Sequence, residues 1–292
     1  HNKIKILSSS RVVLFLEETR GRLMIVVLGK TGAGKSSLAN NIIGEKRFEV
    51  NHKATSGTRE CKAESKSLNQ RSITFVDTPG FFDTGRSEED MKREIVRCIT
   101  ECAPGPHAFL IVLKVDRYTA QEKAVVDKMT QYFSEDALKF TVVLFTHGDQ
   151  LPEETTIKEF VQNSEALSHL VEKCSGRCHV VDNKYWNNSQ QEDYRSNAFQ
   201  IKELFSSIDK IVEVNNKGYY TSDMLQTVTT KLEKEKARLP PEESPQKAKE
   251  ALVDRIMEET SGVGLKTLLE MFLGGVVKVV RDGEPWGSLG LE

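Results

Sequence analysis

The strongest constraint on the fold is the eight-residue sequence GKTGAGKS at residues 29–36, which matches G-x-x-x-x-G-K-[ST] at every fixed position. The apolar run at 23–28 before it has the length and composition of a buried strand, and residues 37–43 after it can continue as a helix. A glycine-rich turn between a strand and a helix N-terminus surrounds an anion with backbone N–H donors. The sequence therefore predicts a phosphate-binding loop, in preference to a Gly- and Lys-rich turn without a ligand.

The side chains of this loop indicate a nucleoside triphosphate with Mg²⁺. Lys35 is placed to reach the β- and γ-phosphates, and Ser36 is placed to ligate the metal. The residues predicted to contact the nucleotide in this loop are Gly29, Thr31, Gly32, Ala33, Gly34, Lys35, Ser36 and Ser37. The loop by itself specifies neither the base nor whether turnover matters.

The composition is that of a globular protein with charged helices, and it argues against a nucleic-acid partner. Of the 292 residues, 38% are hydrophobic and 29% are charged. The formal net charge is −2, whereas nucleic-acid-binding domains are usually basic. Five cysteines are an odd number at low density, which favours a reduced, cytoplasmic compartment over a disulfide scaffold.

Apolar strands alternate with helical patterns from residue 22 to about 216, which predicts an α/β domain with a doubly wound, mostly parallel sheet. Further strands are predicted at 73–76, 108–113, 141–145 and 178–181, with a polar edge strand within 58–68. Helices are predicted at 87–102, 119–133, 155–173 and 194–214.

A C-terminal helical extension is predicted to follow this domain. The predicted division is an N-terminal arm at 1–20, the nucleotide-binding domain at 21–217, charged helices at 218–260 and an amphipathic, hydrophobic tail at 261–292. Residues 262–280 form a broad apolar stripe if helical, with too many charges and too short a length to span a bilayer. Three alternatives stay open for this segment: contact with a membrane surface, packing onto the domain, or pairing with another subunit.

The sequence DTPG at 77–80, directly after a predicted strand, indicates the metal and γ-phosphate side of the site. Asp77 is predicted to hold Mg²⁺ through water, and Gly80 to offer its backbone N–H to the γ-phosphate. An ordinary Asp-Pro-Gly turn is the alternative. A threonine from the polar loop before it would complete the metal site; Thr55 and Thr58 are both available, and we favour Thr58.

The sequence THGD at 146–149 follows the strand at 141–145 and indicates the base. The carboxylate of Asp149 can accept hydrogen bonds from guanine N1–H and the 2-amino group, whereas adenine offers neither donor there. This favours GTP over ATP. The common form of this motif is Asn-Lys-x-Asp; here Thr146 replaces the Asn and His147 replaces the Lys, while the Asp is kept. The alternative interpretation of Asp149 is an Asp that caps a loop.

The loop after the last predicted strand is expected to complete the base site. Asn183 is predicted to contact guanine O6 through its side-chain amide or through a backbone N–H. Tyr185 and Trp186 are near enough in sequence to cover the base by stacking, and a polar turn is the alternative.

Taken together, these motifs resemble those of the GIMAP family, the GTPases of immunity-associated proteins, in the septin-like branch of P-loop GTPases. Besides residues 29–37, the resemblance is carried by DTPGFFDT at 77–84, DRYT at 116–119 with Glu122, FTHGD at 145–149, GRCHVVDN at 176–183 and YYTSDM at 219–224. It covers about residues 22–238, and the Thr-x-x-Asp form of the base motif is usual in this family.

The resemblance implies a fold and a way of working. It implies a six-stranded sheet with one antiparallel edge pair, binding of GTP and GDP, and assembly through the GTPase domain in the GTP-bound form. It also implies that C-terminal parts of many members attach to the cytosolic faces of organelle membranes.

Ras-like enzymes place a Gln directly after Asp-x-x-Gly to orient the attacking water, and here that position is Phe81. We therefore expect slow intrinsic hydrolysis, with the missing group supplied across a homodimer or oligomer. Arg117 is the candidate for this group; the alternative is a surface residue paired with Glu122 or Asp127. The predicted function is a nucleotide-controlled assembly switch or scaffold, and the alternative is a nucleotide-locked structural protein with negligible turnover.

Overall fold

The computed structural model describes residues 22–45, 47–48, 60–68, 71–78, 87–186, 193–216, 218–240 and 242–272. The strands are β1 (Leu23–Leu28), β2 (Lys62–Leu68), β3 (Arg71–Asp77), β4 (Ala108–Lys114), β5 (Thr141–Thr146) and β6 (Cys178–Val180). The helices of the domain are α1 (Lys35–Ile43), α2 (Glu88–Cys102), α3 (Ala120–Phe133), α4 (Ile157–Gln162), α5 (Glu165–Lys173) and α6 (Asn197–Val214). The helices that follow are α7 (Asp223–Arg238), α8 (Pro245–Glu259) and α9 (Leu265–Phe272).

The strands form one six-stranded sheet in the order β2-β3-β1-β4-β5-β6. Only the edge strand β2 is antiparallel to its neighbour, β3, and every other pair is parallel. This confirms the predicted doubly wound, mostly parallel sheet with its polar edge strand. Because β1 lies at the centre between β3 and β4, the loop that follows it opens between the carboxyl ends of its neighbours, where ligands bind in such sheets.

The central strands are buried on both faces, which is why they are continuous apolar runs rather than alternating ones. Within β1, Met24, Val26 and Leu28 belong to one core cluster, together with residues of α2 and α3. Leu23, Ile25 and Val27 belong to a second cluster on the opposite face, with residues of α1 and α6. The alternation of side chains along a strand therefore gives each sheet face its own layer of helices.

One predicted helix is wrong in its continuity. The segment predicted as a single helix at 155–173 forms two helices, α4 and α5. The backbone at Ser164 is extended, and its side chain accepts a hydrogen bond from the N–H of Leu167, which caps α5. A serine at this position satisfies the first turn of a new helix better than it continues the old one.

The C-terminal helices pack against α2. The side chain of Lys92 is fully buried, and its Nζ donates to the carbonyl of Thr260, 2.6 Å away, at the end of α8. The backbone N–H of Leu265 donates to Glu88 over 3.1 Å, and Leu268 and Leu269 are buried. For the described part of the segment at 262–280, packing onto the domain is therefore the alternative that the structure favours; residues 273–292 lie outside the described residues.

None of the helices in the described ranges has the length and apolar content needed to cross a membrane.

His107 is held in its neutral form by the fold. Its Nδ1 accepts the backbone N–H of Met24 at 3.0 Å, which requires the neutral ring. Burial, with a smaller contribution from Arg71 and Arg22, lowers the pKa of His107 from 6.5 to about 4. The unfolded chain therefore binds a proton in this interval that the folded chain does not, so the contribution is fully present above pH 6.5 and is lost as the pH falls through 4.

We predict that the free energy of unfolding, measured with urea, decreases between pH 6.5 and pH 4. His107→Asn keeps an acceptor near the position of Nδ1 but does not titrate there, so its decrease should be smaller. The matched control is His169→Asn on the exposed face of α5. Identical pH profiles for the wild type and His107→Asn would contradict this account.

Candidate functional site

The loop at residues 29–34 connects the end of β1 to α1, as the motif predicts. Gly34 is the N-cap of α1 in the left-handed conformation, with φ of 89°, and a Cβ there would lie 2.9 Å from Nδ2 of Asn183. A Cβ at Gly29 would lie 2.6 Å from the carbonyl oxygen of Val112. Gly29 is thus required by the close approach of the β4 backbone, and Gly34 by its left-handed backbone conformation.

The remaining loop residues divide into exposed and buried positions. Thr31 and Gly32 are exposed at the tip, whereas Ala33 is buried and donates its N–H to the carbonyl of Lys30 over 3.1 Å. Ser37 is half-buried in the first turn of α1. The loop therefore presents its tip to solvent and anchors its base in the domain.

Lys35 is held across the loop. Its Nζ donates to the carbonyls of Gly29, at 3.0 Å, and of Lys30, at 3.2 Å. Burial lowers the pKa of Lys35, and the nearby carboxylate of Asp77 opposes this. A buried ammonium that contacts two backbone carbonyls is a strong attractor for a phosphate.

Ser36 and Asp77 meet at the ends of α1 and β3. The hydroxyl of Ser36 donates to Oδ2 of Asp77 over 2.6 Å. Thr78 Oγ1 donates to the carbonyl of Val27 over 2.8 Å and so holds the end of β3 beside β1. A hydroxyl and a carboxylate are hard oxygen donors, which is the ligand type that Mg²⁺ prefers, so these two residues fit the predicted metal site.

Thr146 joins the phosphate loop to the neighbouring strands. This fully buried hydroxyl lies 2.8 Å from the carbonyl of Ala33 and 3.2 Å from that of Leu113. It is also 3.0 Å from Nδ1 of His147. The short hydroxyl can make this contact only because β5 ends directly beside the loop, which explains physically how Thr occupies the place of Asn in the common motif.

Asp149 follows in a short 3₁₀ turn, Gly148–Gln150, which begins after His147 in the left-handed conformation, with φ of 61°. The Asp149 side chain is exposed, and Oδ2 accepts a hydrogen bond from Nε2 of Gln150 over 2.8 Å. The carboxylate therefore stands at the surface of the edge where β5 ends.

Asp182, which lies beside Asn183 in the predicted base loop, has a structural role that the sequence did not assign to it. Its Oδ1 accepts the backbone N–H groups of Lys184, at 2.8 Å, and Tyr185, at 2.5 Å, and its Oδ2 accepts that of Asp149 at 3.2 Å. Burial raises the pKa of Asp182, but these hydrogen bonds outweigh it and the net shift is downward. The carboxylate thus ties the loop after β5 to the loop after β6; its place directly after an apolar strand was the available signal.

Asn183 faces the phosphate loop. Its Nδ2 lies 3.5 Å from the carbonyl of Gly34, and its Oδ1 accepts from Nδ2 of Asn41 on α1 over 2.8 Å. The side-chain amide is therefore engaged with α1 and the loop.

The two aromatic residues after it have different positions. Trp186 is buried, and its ring lies so close to Gly148 that a Cβ there would be 2.6 Å from the ring. The Trp186 ring therefore packs against Gly148, in the same turn as Asp149. Tyr185 is 60% exposed, with Nζ of Lys184 4.7 Å from its ring centroid, so it is the aromatic residue available for stacking.

Arg117 lies in the loop after β4, at the same edge of the sheet as the phosphate loop. Its side chain is exposed and makes no ion pair with any residue in the described part of the chain. The predicted alternative partners are engaged elsewhere: Glu122 pairs with Lys30, and Asp127 with Lys123. Three other predicted positions, Thr58, Gly80 and Phe81, lie outside the described residues.

The fold and these loops define a P-loop domain of the GTPase class. The AIG1 family model matches residues 23–238 of the chain. The chain belongs to the AIG1 family, which confirms the resemblance seen in its motifs.

Two curated relatives illustrate the relationship. The chain is 31% identical over 216 residues to Immune-associated nucleotide-binding protein 9 of Arabidopsis thaliana, covering 72% of this chain and 61% of that protein. It is 32% identical over 174 residues to GTPase IMAP family member 8 of Mus musculus, covering 58% of this chain and 25% of that protein. The chain thus spans less than two thirds of the length of these relatives.

Solved structures with the same fold include Toc33 from Arabidopsis thaliana. Its complex with GDP and Mg²⁺ has a TM-score of 0.54 at 21% identity and covers 71% of this chain and 90% of that chain. A further structure is reported with the finding that dimerization is important for the GTPase activity of the chloroplast translocon components atToc33 and psToc159. It has a TM-score of 0.53 at 21% identity and covers 68% of this chain and 85% of that chain. At this identity the likeness concerns the fold.

We predict that Thr146→Val lowers the free energy of unfolding by about 1–3 kcal/mol, because the buried carbonyl of Ala33 loses its donor while the side-chain volume is kept. Thr141→Val is the matched control, since its equally buried hydroxyl donates to Ala137 over 2.8 Å at the other end of β5. Both variants should lose stability in urea, but only Thr146→Val should accelerate amide hydrogen exchange at residues 30–36. Equal exchange of these amides in the two variants would contradict the anchoring role of Thr146.

Proposed function

We propose that this chain binds GTP and GDP with Mg²⁺, hydrolyses GTP slowly, and uses the bound nucleotide to control its own assembly. The observation that carries the proposal is the convergence of four groups at one edge of the sheet. They are the buried ammonium of Lys35, the Ser36–Asp77 pair, the Thr146 anchor and the exposed carboxylate of Asp149. Membership in the AIG1 family and the nucleotide-bound state of Toc33 support it.

Asp149 is proposed to select guanine. A carboxylate is an acceptor only, so it pairs with the N1–H and 2-amino donors of guanine and meets no donor on adenine. Its turn is held in place from two sides, by Asp182 through the backbone N–H and by Trp186 beneath Gly148. The exposed carboxylate is thus preorganised rather than free to follow any ligand.

The residues proposed to hold Mg²⁺ are Ser36 directly and Asp77 through water, with Thr58 as a further ligand. A bound Mg²⁺ would neutralise charge on the phosphate oxygens. Lys35 and the backbone N–H groups at the start of α1 bind and orient the phosphates. These residues account for tight binding of a triphosphate without yet accounting for its hydrolysis.

Hydrolysis is proposed to depend on a second molecule. The side chain of Phe81 cannot orient a water molecule. Arg117 is exposed at the edge of the sheet that carries the phosphate loop, and the acidic residues of α3 that could pair with it, Glu122 and Asp127, pair with lysines instead. An arginine supplied in trans contributes about 10³–10⁵ in rate in enzymes that use one. The importance of dimerization for GTPase activity in the Toc proteins supports this assignment.

The alternative is a nucleotide-locked structural or interaction protein with negligible turnover. Phe81 is compatible with it. Lys35, Ser36 and Asp77 serve the binding of Mg²⁺ and triphosphate in either case, so the measured rate of GTP hydrolysis decides between the two functions.

We predict that Asp149→Asn weakens GDP binding about 10- to 100-fold, because one charge-assisted contact to two guanine donors is lost. The same variant should bind xanthosine diphosphate more tightly than the wild type does, since the amide can donate to the oxygen that replaces the 2-amino group. Calorimetry with GDP, xanthosine diphosphate and ADP measures both changes, with Asp127→Asn on the exposed face of α3 as the control. Unchanged GDP affinity in a folded Asp149→Asn variant would remove the assignment of the base.

We predict that GTP hydrolysed per molecule increases with protein concentration, and that Arg117→Ala reduces the high-concentration rate at least about tenfold, as removal of an arginine finger should. Lys123→Ala, a nearby exposed basic residue, is the control. Light scattering should show a larger mass with a non-hydrolysable GTP analogue than with GDP. A specific activity that stays flat with concentration contradicts dimer stimulation, and equal masses contradict nucleotide-controlled assembly.

A further inference from the structure

An ion pair connects the phosphate loop to α3. Nζ of Lys30, in the second position of the loop, contacts Oε1 of Glu122. The side chain of Glu122 is only 6% exposed and that of Lys30 27%, so the pair is largely shielded from water. A carboxylate at such a depth is costly unless it is paired, which gives this contact more weight than a surface ion pair.

The second oxygen of Glu122 holds the start of the same helix. Oε2 accepts the backbone N–H of Thr119 over 3.1 Å and also accepts the Thr119 hydroxyl. Thr119 and Glu122 form a capping box at the N-terminus of α3. Burial raises the pKa of Glu122, but the contacts with Lys30 and Thr119 outweigh it and the net shift is downward, so this group is a carboxylate at neutral pH.

The loop between β4 and α3 is fixed at both ends. At one end, the N–H of Val115 donates to the carbonyl of Thr146 over 2.9 Å. At the other end, Tyr118 packs against the core cluster that contains Met24, and the backbone N–H of Thr119 donates to Glu122. Between them, the N–H of Arg117 donates to Oδ1 of the adjacent Asp116 over 2.7 Å, and the Arg117 side chain is exposed.

We infer that Glu122 is a positioning residue that holds the loop between β4 and α3, here called the Arg117 loop, against the phosphate loop through Lys30. One carboxylate contacts the loop that surrounds the phosphates with one oxygen and the base of the Arg117 loop with the other. A shift of the phosphate loop at Lys30 is therefore transmitted to the surface that presents Arg117 to a second copy of this chain. This inference rests on the proposed function for its consequence in hydrolysis, whereas the holding of the loop is independent of it.

The decisive variant is Glu122→Gln. Glutamine also completes a capping box, so the cap on α3 is kept while the charge that pairs with Lys30 is removed. The control is Lys123→Gln, which breaks the exposed ion pair with Asp127 one residue further along the same helix.

Two measurements test the inference. Amide hydrogen exchange of residues 114–119 in the GDP-bound protein should be faster in Glu122→Gln than in the wild type or Lys123→Gln, about tenfold if the holding contact contributes 1.4 kcal/mol. The concentration-dependent part of GTP hydrolysis should fall in Glu122→Gln and not in Lys123→Gln. In an Arg117→Ala background, Glu122→Gln should cause no further loss, since the residue that it positions is absent.

Lys30→Gln provides a second route if Glu122→Gln does not fold. It should accelerate exchange of the same amides, and the double variant should show less than the sum of the two effects. Unchanged exchange in the single variants, or additive effects in the double variant, overturns the inference. Faster exchange with an undiminished concentration-dependent rate overturns the positioning role. A wild type without any concentration dependence instead refutes the proposed function, and the exchange data then decide separately whether Glu122 holds the loop.

Discussion

The hydrogen bond between the Thr146 hydroxyl and the carbonyl of Ala33 is the contact on which the geometry of the site depends. It fixes the distance between the phosphate loop and the end of β5, from which the turn with Asp149 begins. Asp182 then fixes that turn to the loop after β6. Two buried polar groups therefore hold three loops in register, and each loop starts at a strand that the sheet already places.

Burial explains why short side chains can do this. In water, a threonine hydroxyl or a single carboxylate exchanges hydrogen-bond partners at little net cost in free energy. A buried carbonyl that is left without a donor lowers the free energy of unfolding by about 1–3 kcal/mol. The ends of β1, β4 and β5 remove water from Ala33, Leu113 and Thr146 together. The same depth makes the charges of Lys35, Asp77 and Glu122 dependent on their partners, so the loop geometry and the charge arrangement stabilise each other.

The parts of this structure that could be predicted from sequence are those with a local signal. The buried strands are continuous apolar runs, and the loop at 29–36 has a spacing that few other structures require, so both could be placed closely. Ser164 could not, because a capping serine inside an apolar pattern resembles an ordinary helix position until its backbone is seen.

The contacts that join distant segments had no such signal. Two such contacts are the hydrogen bond between Asn41 and Asn183 and the ion pair between Lys30 and Glu122. The partners are far apart in the sequence, and residues of these types occur in many proteins without contacting each other. Trp186 was expected near the base because of its position, but only the fold shows that its ring fills the space beneath Gly148. The roles of these residues follow from tertiary packing, and neither a periodicity nor a motif in the sequence could have predicted them.

In the proposed function, different residues serve the binding of the nucleotide and its hydrolysis. Lys35 and Asp77 are buried, and the Ser36 hydroxyl is hydrogen-bonded to Asp77 within one molecule, which suits tight binding. Arg117 instead is exposed, on a loop whose backbone is fixed at both ends. A flexible exposed arginine would lose side-chain entropy on docking to a partner, and a fixed loop reduces the part of that cost which comes from the backbone. An exposed guanidinium on a loop that is held at both ends therefore fits the proposed recognition of a second molecule.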